Sequence, residues 1–111
     1  MPTLALPSRV RTALGQLKRA LGDVYGPRLR GVYLYGSYAR NQADKESDVD
    51  ILIALDGPVE AGLEISRINT LVSSICLQRD LLISTFPVSV ESWEDGRSPF
   101  LMCVRKEAVR L

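Results

Sequence analysis

Positions 36–50 read GSYARNQADKESDVD, a polar insert between two short apolar runs. The run before it, residues 32–35, and the run after it, residues 51–55, have the β-branched and aromatic content of buried strands. A short insert favours an antiparallel return, which brings the end of the first strand beside the start of the second. The sequence therefore predicts two neighbouring strands whose polar connection lies at one edge of a sheet.

Asp48 and Asp50 stand at the start of the second predicted strand. The strand period of two places both carboxylates on one face and Val49 on the other. Two acids about 7 Å apart along a strand repel each other unless a positive charge lies between them. Mg²⁺ is usually held by one or two carboxylates, with substrate phosphates and water as its other ligands. The pair therefore predicts a divalent-cation site next to a phosphate-binding element.

Gly36 and Ser37 are the candidate phosphate-binding residues. A glycine leaves the backbone open to close approach, and exposed N–H groups together with a hydroxyl can hold phosphate oxygens. Arg40 has two open interpretations. It points at the triphosphate or at the aspartates, or it pins the loop to a carboxylate such as Asp44 or Glu46.

Gly-Ser, ten intervening residues and Asp-x-Asp resemble the signature of the minimal nucleotidyltransferases of the DNA polymerase β superfamily. The resemblance implies an α/β fold in which a small mixed β-sheet is flanked by helices. It implies that Gly36 and Ser37 hold the nucleotide phosphates and that Asp48 and Asp50 bind Mg²⁺. The family usually has a glycine where this chain has Asn41, and asparagine tolerates the left-handed conformation better than most residues.

The family completes its metal site with a third carboxylate on a later strand, and Asp80 is the best match here. Residues 59–78 have near-helical apolar spacing and are long enough for a crossover. A strand beginning at Arg79 can therefore run parallel to the strand of the Asp-x-Asp pair, which places Asp80 at the same edge. From this placement of charge we expect two Mg²⁺ ions, one held by Asp48 and Asp50 and a second shared with Asp80, which is also the candidate proton acceptor.

The resemblance also implies a donor and an acceptor. Stand-alone minimal nucleotidyltransferases often resemble the antitoxin half of a toxin-antitoxin pair, whose helical HEPN-type ribonuclease is neutralised when AMP is transferred to one of its tyrosines. ATP is then the donor substrate, and a HEPN-type toxin is the partner. Two alternatives remain open: a non-catalytic binding module that neutralises or completes a helical partner, and a nucleotidyltransferase that acts on a small molecule.

The composition limits the possible functions. With 111 residues, 46% of them hydrophobic, we expect one domain over residues 1–111. The absence of histidine excludes Ser-His-Asp and Cys-His catalysis and the usual histidine metal sites. Cys76 and Cys103 lie in apolar surroundings, so both are expected to be buried thiols. Residues 1–9 do not resemble a signal peptide, and no run approaches the ~20 apolar residues of a membrane span, so the cytoplasm is the expected location.

The charge is unevenly distributed along the chain. Residues 1–45 contain eight basic and two acidic side chains. A basic half can meet a triphosphate, RNA or an acidic partner, although such charges are also normal on the solvated faces of amphipathic helices. Aromatic residues are too few for a base-stacking platform, so nucleic acid is not expected as a direct ligand.

The remaining elements follow from caps and spacing. Ser8 is the expected N-cap of a first helix that ends at Gly26. Trp93 is expected to cover the core, and Ser98 to cap a last helix that ends near Glu107. The expected core positions of the first two helices are Val10, Leu14, Leu17, Leu21, Val24, Leu63, Ile68, Leu71, Val72, Ile75 and Cys76. The other expected elements are a third strand that ends by Pro87 and an edge strand at 109–111.

Overall fold

A four-stranded mixed β-sheet with helices on both faces forms the framework of the chain, over the residues 6–95 and 97–111 that this computed structural model describes. This is the α/β architecture expected from the sequence. In chain order the elements are α1 (Ser8–Tyr25), a 3-10 turn (Gly26–Arg28), β1 (Leu29–Tyr35), β2 (Val49–Leu55), α2 (Ala61–Arg79), β3 (Ile83–Ser89), α3 (Val90–Asp95), α4 (Pro99–Glu107) and β4 (Val109–Arg110).

The sheet has the strand order β3-β2-β1-β4. Strands β1 and β2 are antiparallel, with Tyr35 opposite Asp50 at the end where the polar insert connects them. Strand β3 is parallel to β2, because the α2 crossover returns the chain to the edge where β2 begins. Both predicted connections, the antiparallel return and the parallel crossover, are confirmed.

Strand β2 is buried on both of its faces because its side chains alternate between two cores. Val49 and Ile51 belong to the core that α1 and α2 cover, whereas Leu52 belongs to the core that α3 and α4 cover. Since alternate residues of a strand share a face, Asp50 lies on the side of Leu52. The predicted separation from Val49 is therefore confirmed for Asp50, whereas Asp48 lies just before the strand.

Helix α1 differs from its prediction at its N-cap and in the residue that its last turn buries. Its N-cap is Pro7, and Ser8 is already the first helical residue. Gly26 ends the helix as predicted, with a φ of 56°. Val24 is 42% exposed, and Tyr25 is buried in its place. The last two buried positions of the helix are therefore Leu21 and Tyr25, four residues apart, and not Leu21 and Val24, three residues apart.

Helix α2 buries an acid beside an apolar residue that it exposes. Leu63 was expected in the core but is 53% exposed, while Glu64 is only 3% exposed. The buried carboxylate accepts a hydrogen bond from the Tyr25 hydroxyl at 2.9 Å. It also pairs with Arg28 at 3.5 Å and with Arg67 at 3.2 Å. A buried charge requires such partners, and sequence spacing reveals only Arg67, which lies three positions farther along the same helix.

Strand β3 forms one edge of the sheet and continues past the position where it was expected to end. Pro87 lies inside the strand, which ends at Ser89. Proline has no backbone N–H to give to a ladder, and an edge strand is where that loss is tolerated. The prediction that the strand ends by Pro87 is therefore wrong.

The two cysteines are not both buried thiols. Cys103 is exposed, because Leu101 and Val104 take the buried positions of α4. Cys76 is partly buried, and its sulfur accepts a hydrogen bond from the Ile83 N–H at 3.3 Å. The prediction is wrong for Cys103.

Three smaller predictions are confirmed. Trp93 covers the core beneath α3 and α4, with its ring centroid 4.8 Å from that of Tyr33. The Ser98 hydroxyl caps α4 by accepting from the Leu101 N–H, and β4 pairs with β1 as an edge strand. Within the described part of the chain, no helix has both the length and the apolar character needed to span a bilayer.

Candidate active site

Gly36 begins the loop after β1 and approaches Asp50 closely. Its φ is 77°, and a β-carbon at this position would overlap the Asp50 carboxylate. The loop then turns back on itself, because the Arg40 N–H donates to the Gly36 carbonyl at 3.2 Å and the Gln42 N–H donates to the Ser37 carbonyl at 2.9 Å. The predicted proximity of Gly36 to Asp50 is therefore confirmed, and only glycine fits both the backbone angle and the space.

The rest of the insert is held by local hydrogen bonds. Asn41 has a φ of 56°, the conformation expected for an asparagine in a glycine position. Tyr38 anchors the loop in the core that α1 and α2 cover. The Ser47 hydroxyl accepts from the Asp44 N–H at 2.9 Å, and the Asp44 carboxylate accepts from the Glu46 N–H at 2.9 Å. This turn fixes the approach of the chain to β2. Asp44 and Glu46 are both exposed to solvent, as expected.

Asp48 and Asp50 carry a local excess of negative charge. Asp48 is exposed directly before β2, and Asp50 is partly buried within it. Burial raises the pKa of Asp50, the charges of Asp48 and Glu107 raise it further, and Arg40 lowers it. The pKa of Tyr35 is also raised, first by burial and then by the charges of Asp50 and Glu107. The site therefore favours an added positive charge.

The residues present fit Mg²⁺. Two neighbouring carboxylates, Asp50 partly buried within β2 and Asp48 exposed directly before it, supply the hard oxygen ligands that this ion takes. Their mutual repulsion, visible in the raised pKa of Asp50, first from burial and then from Asp48, is relieved by a cation between them. The Gly36 backbone lies beside the Asp50 carboxylate. Its amide group would therefore lie close to the phosphates of a nucleotide that binds together with such an ion.

Asp80 does not begin the third strand. It is the C-cap of α2 in the left-handed conformation, with a φ of 53°, and β3 begins only at Ile83. The prediction of a strand from Arg79 is wrong, because α2 continues to that residue and needs a left-handed turn before β3. Asp80 does lie at the expected edge, where it lines a pocket of about 480 Å³ together with Asp48. Among the described residues, no three acidic, cysteine or histidine side chains converge closely enough to hold a metal ion.

Arg40 does not pin the loop to Asp44 or to Glu46. Its Nη1 donates to both oxygens of the Glu107 carboxylate, at 2.9 and 3.1 Å. The same carboxylate accepts the Gly36 N–H at 2.5 Å. Arg40 therefore does fix the loop, but to a residue at the far end of α4.

Glu107 is the site residue that the sequence analysis missed. It lies 67 positions from Arg40 along the chain, so no local pattern connects the two. One signal was present: Glu107 occupies the last turn of a helix, where the macrodipole disfavours negative charge, and it follows Arg105 and Lys106, which suit that position. An acid in such a place indicates a partner elsewhere in the fold.

The model of the nucleotidyltransferase domain family matches residues 14–94 of this chain. Two similar proteins of Methanocaldococcus jannaschii are provisionally named protein adenylyltransferases. One is 36% identical over 69 residues, which are 62% of this chain and 69% of the relative. The other is 37% identical over 49 residues, which are 44% of this chain and 47% of the relative.

Two solved structures share the fold. One, described as a toxin-antitoxin with AMP-PNP, has a TM-score of 0.58 at 18% identity. The aligned part covers 86% of this chain and 69% of the chain in that structure. The other, a mutant of the toxin-antitoxin MntA-HpeT, has a TM-score of 0.56 at 17% identity, covering 85% and 68%. At such identities the likeness concerns the fold alone. The family model, however, spans most of the chain and includes both Gly-Ser and Asp-x-Asp, so this chain belongs to the nucleotidyltransferase domain family.

Proposed function

We propose that this nucleotidyltransferase transfers AMP from ATP to a hydroxyl group of a partner protein in a Mg²⁺-dependent reaction. The observation that carries the proposal is the approach of the Gly36 loop to Asp50 in a site that favours added positive charge. The provisional name of the Methanocaldococcus jannaschii relatives supports a protein acceptor. The AMP-PNP in one toxin-antitoxin of the same fold supports a nucleoside triphosphate as donor.

Each site residue has a role in this reaction. Asp48 and Asp50 would hold Mg²⁺, and the ion supplies neutralisation of the phosphate charge and a lower pKa for the attacking hydroxyl. The Gly36 N–H and the Ser37 hydroxyl bind phosphate oxygens. Arg40 adds a fixed positive charge beside them.

The transfer step breaks one bond and forms another. The acceptor oxygen attacks the α-phosphorus in line, and the bond from that phosphorus to the bridging oxygen of pyrophosphate breaks. The hydroxyl proton passes to a carboxylate, for which we propose Asp80, because it lines the same pocket as Asp48. In this proposal Asp80 would also help to hold a second Mg²⁺. AMP remains on the acceptor and pyrophosphate leaves.

We propose as acceptor a tyrosine of a helical HEPN-type toxin, with this chain as its antitoxin. The two structural neighbours described as toxin-antitoxin support a toxin as the partner. The proposal places the reaction in the cytoplasm, where ATP is available.

A second candidate is a non-catalytic module that neutralises a helical partner by binding alone. It is favoured by the position of Asp80, since no three-acid metal group forms among the described residues. An apolar surface for such binding exists at the rings of Phe86 and Phe100, which contact each other at a tilt of 56° with their centroids 5.0 Å apart. Both side chains are more than one-third exposed, at 36% and 44%.

Label transfer distinguishes the two candidates. The purified chain is incubated with Mg²⁺ and ATP labelled at the α-phosphate, together with a co-purified partner protein. An Asp48→Asn variant tests the site, and Asp23→Asn, an exposed acid on α1, is the matched control. A labelled partner that disappears only with Asp48→Asn supports transfer. An unlabelled partner that binds the wild type and Asp48→Asn equally well would favour the binding module. Label on a small molecule would show that the acceptor is a small molecule and not a protein.

A further inference from the structure

The carboxylate of Glu107, at the end of α4, lies inside the candidate active site. Its Oε2 accepts the Gly36 N–H at 2.5 Å and a bond from Arg40 Nη1 at 2.9 Å, while its Oε1 accepts from the same nitrogen at 3.1 Å. The side chain is only 26% exposed. We call the two donors, the Gly36 N–H and the Arg40 guanidinium, the anion pocket.

A carboxylate and a phosphate compete for donors of this kind. Both present negatively charged oxygens, and backbone N–H groups and guanidinium groups bind either of them. The Gly36 amide has one hydrogen to give. Glu107 and a nucleotide phosphate therefore cannot both bind the anion pocket fully.

The surroundings of Glu107, apart from the anion pocket, oppose its charge. It lies in the last helical turn, where the macrodipole disfavours an anion. Its charge also repels that of Asp50, since burial, then Asp48 and then Glu107 raise the pKa of Asp50. Burial, Asp50 and Glu107 likewise raise the pKa of Tyr35, which shows that negative charge accumulates at this place. The two donors of the anion pocket are thus what holds the carboxylate in place, and a ligand that takes them removes the reason for it to stay.

Release of Glu107 requires little movement. A glutamate side chain has three rotatable bonds. The backbone continues in an extended conformation at Ala108 and then pairs with β1 through Val109 and Arg110. The carboxylate can therefore leave by side-chain rotation while α4 and β4 keep their positions.

We propose that Glu107 is an internal competitor of nucleotide phosphates, which occupies the anion pocket in the free protein and leaves it when a triphosphate binds. The inference rests on the proposed function and adds a regulation of the same site. Glu107 also lies outside the segment 14–94 that the family model matches. The apparent dissociation constant equals the intrinsic one divided by the fraction of molecules with an open pocket. If Glu107 fills the pocket nine-tenths of the time, its removal tightens binding about tenfold.

Isothermal titration calorimetry on the full chain tests the competition. The ligands are ATP with Mg²⁺ and inorganic tripolyphosphate, which has the phosphates without the nucleoside. Glu107→Gln removes the charge with little change of shape, and Glu91→Gln, an exposed glutamate on α3, is the matched control. We expect Glu107→Gln to bind both ligands more tightly by a similar factor, between about threefold and tenfold. The control should bind like the wild type.

The other outcomes overturn the inference in distinguishable ways. Weaker binding by Glu107→Gln would identify Glu107 as a ligand-binding residue. Unchanged binding would make its contact with the loop purely structural. In both cases the proposed function survives, because the wild type still binds the nucleotide. If neither protein binds ATP or tripolyphosphate, the proposed function fails together with the inference.

A second measurement needs no variant. The side-chain carboxylate carbon of Glu107 and the amide proton of Gly36 are followed by NMR while tripolyphosphate is added to the wild type. We expect the Glu107 signal to move toward the position of a solvent-exposed glutamate as the Gly36 amide responds to the ligand. A Glu107 signal that stays fixed while tripolyphosphate saturates the protein would overturn the inference.

Discussion

Gly36 and Asp50 approach so closely that a β-carbon on the glycine would overlap the carboxylate of the aspartate. The glycine also has a φ of 77°, which costs other L-residues roughly 1–2 kcal/mol. The contact links the proposed phosphate-binding loop to the proposed metal-binding strand, so we expect both the stability of the fold and nucleotide binding to depend on the absence of a side chain at Gly36.

The first prediction concerns Gly36→Ala. We expect this variant to lose ATP binding, because the added methyl group displaces Asp50, and to lose about 1–3 kcal/mol of unfolding free energy. Urea denaturation and calorimetry measure the two effects. Gly15→Ala is the matched control, since a β-carbon there meets nothing within 4 Å in helix α1, and it should gain about 0.5–1 kcal/mol. A Gly36→Ala protein with unchanged binding would contradict the proposed arrangement.

The second prediction separates catalysis from stability at Asp50, the acid within β2. Asp50→Asn should abolish nucleotidyl transfer and leave the melting temperature unchanged or raised. The reason is that burial and the neighbouring Asp48 both disfavour the charged form of Asp50 and raise its pKa. Thermal melting is compared with the label-transfer assay on the same preparation. A folded Asp50→Asn protein that still transfers label would rule out the metal assignment.

The third prediction tests Asp80 with two substitutions. Both Asp80→Asn and Asp80→Gly remove the carboxylate, and both residues tolerate the left-handed conformation of this cap. Neither should therefore lower the unfolding free energy, and the glycine variant should be equal or slightly more stable. We expect both variants to lose transfer more severely than ATP binding. If both transfer normally, Asp80 is only the cap of α2.

The fourth prediction concerns stability at high pH. Burial, the hydrogen bond to Glu64 and the Glu64 charge raise the pKa of Tyr25 from 10.0 to about 12. The folded state therefore favours the neutral phenol, and this contribution is complete below pH ~10 and lost as the pH rises toward the folded value. It amounts to about 2–3 kcal/mol for a shift of this size.

Urea denaturation between pH 8 and pH 11.5 measures that loss. Tyr25→Phe should be less stable than the wild type at pH 8 but should lose less stability across the range, since it has no phenol to ionise. The comparison between the two proteins is needed because the pKa of Tyr35 is raised as well, mainly by burial. Parallel stability curves for the two proteins would contradict a role for Tyr25.

Local patterns in the sequence predicted most of the framework. The alternation in β2 correctly separated Asp50 from Val49, and the length of the α2 segment correctly indicated a parallel β3. These predictions succeeded because strand period and connection length are properties of short segments. The Gly-Ser and Asp-x-Asp pattern likewise indicated the family that the comparison with known proteins supports.

Contacts between distant segments account for what the sequence did not predict. Glu64 is buried because Tyr25, Arg28 and Arg67 satisfy its charge, and two of these partners, Tyr25 and Arg28, come from other elements of the fold. Glu107 reaches the site only because β4 pairs with β1 and thereby brings the end of α4 to the loop. The boundary error at Asp80 has a local cause, since a left-handed helix cap leaves no hydrophobic signature.

Pro87 in the outer strand β3 has a consequence for how other molecules can meet this edge. An unpaired strand edge is normally a template on which a second polypeptide adds as a further strand, the first step toward sheet extension and fibrous aggregation. A proline there leaves the row of donors incomplete. A partner that approaches this edge therefore has to contact side chains such as Phe86 and Leu82, which are 36% and 66% exposed, and cannot rely on continuous backbone pairing.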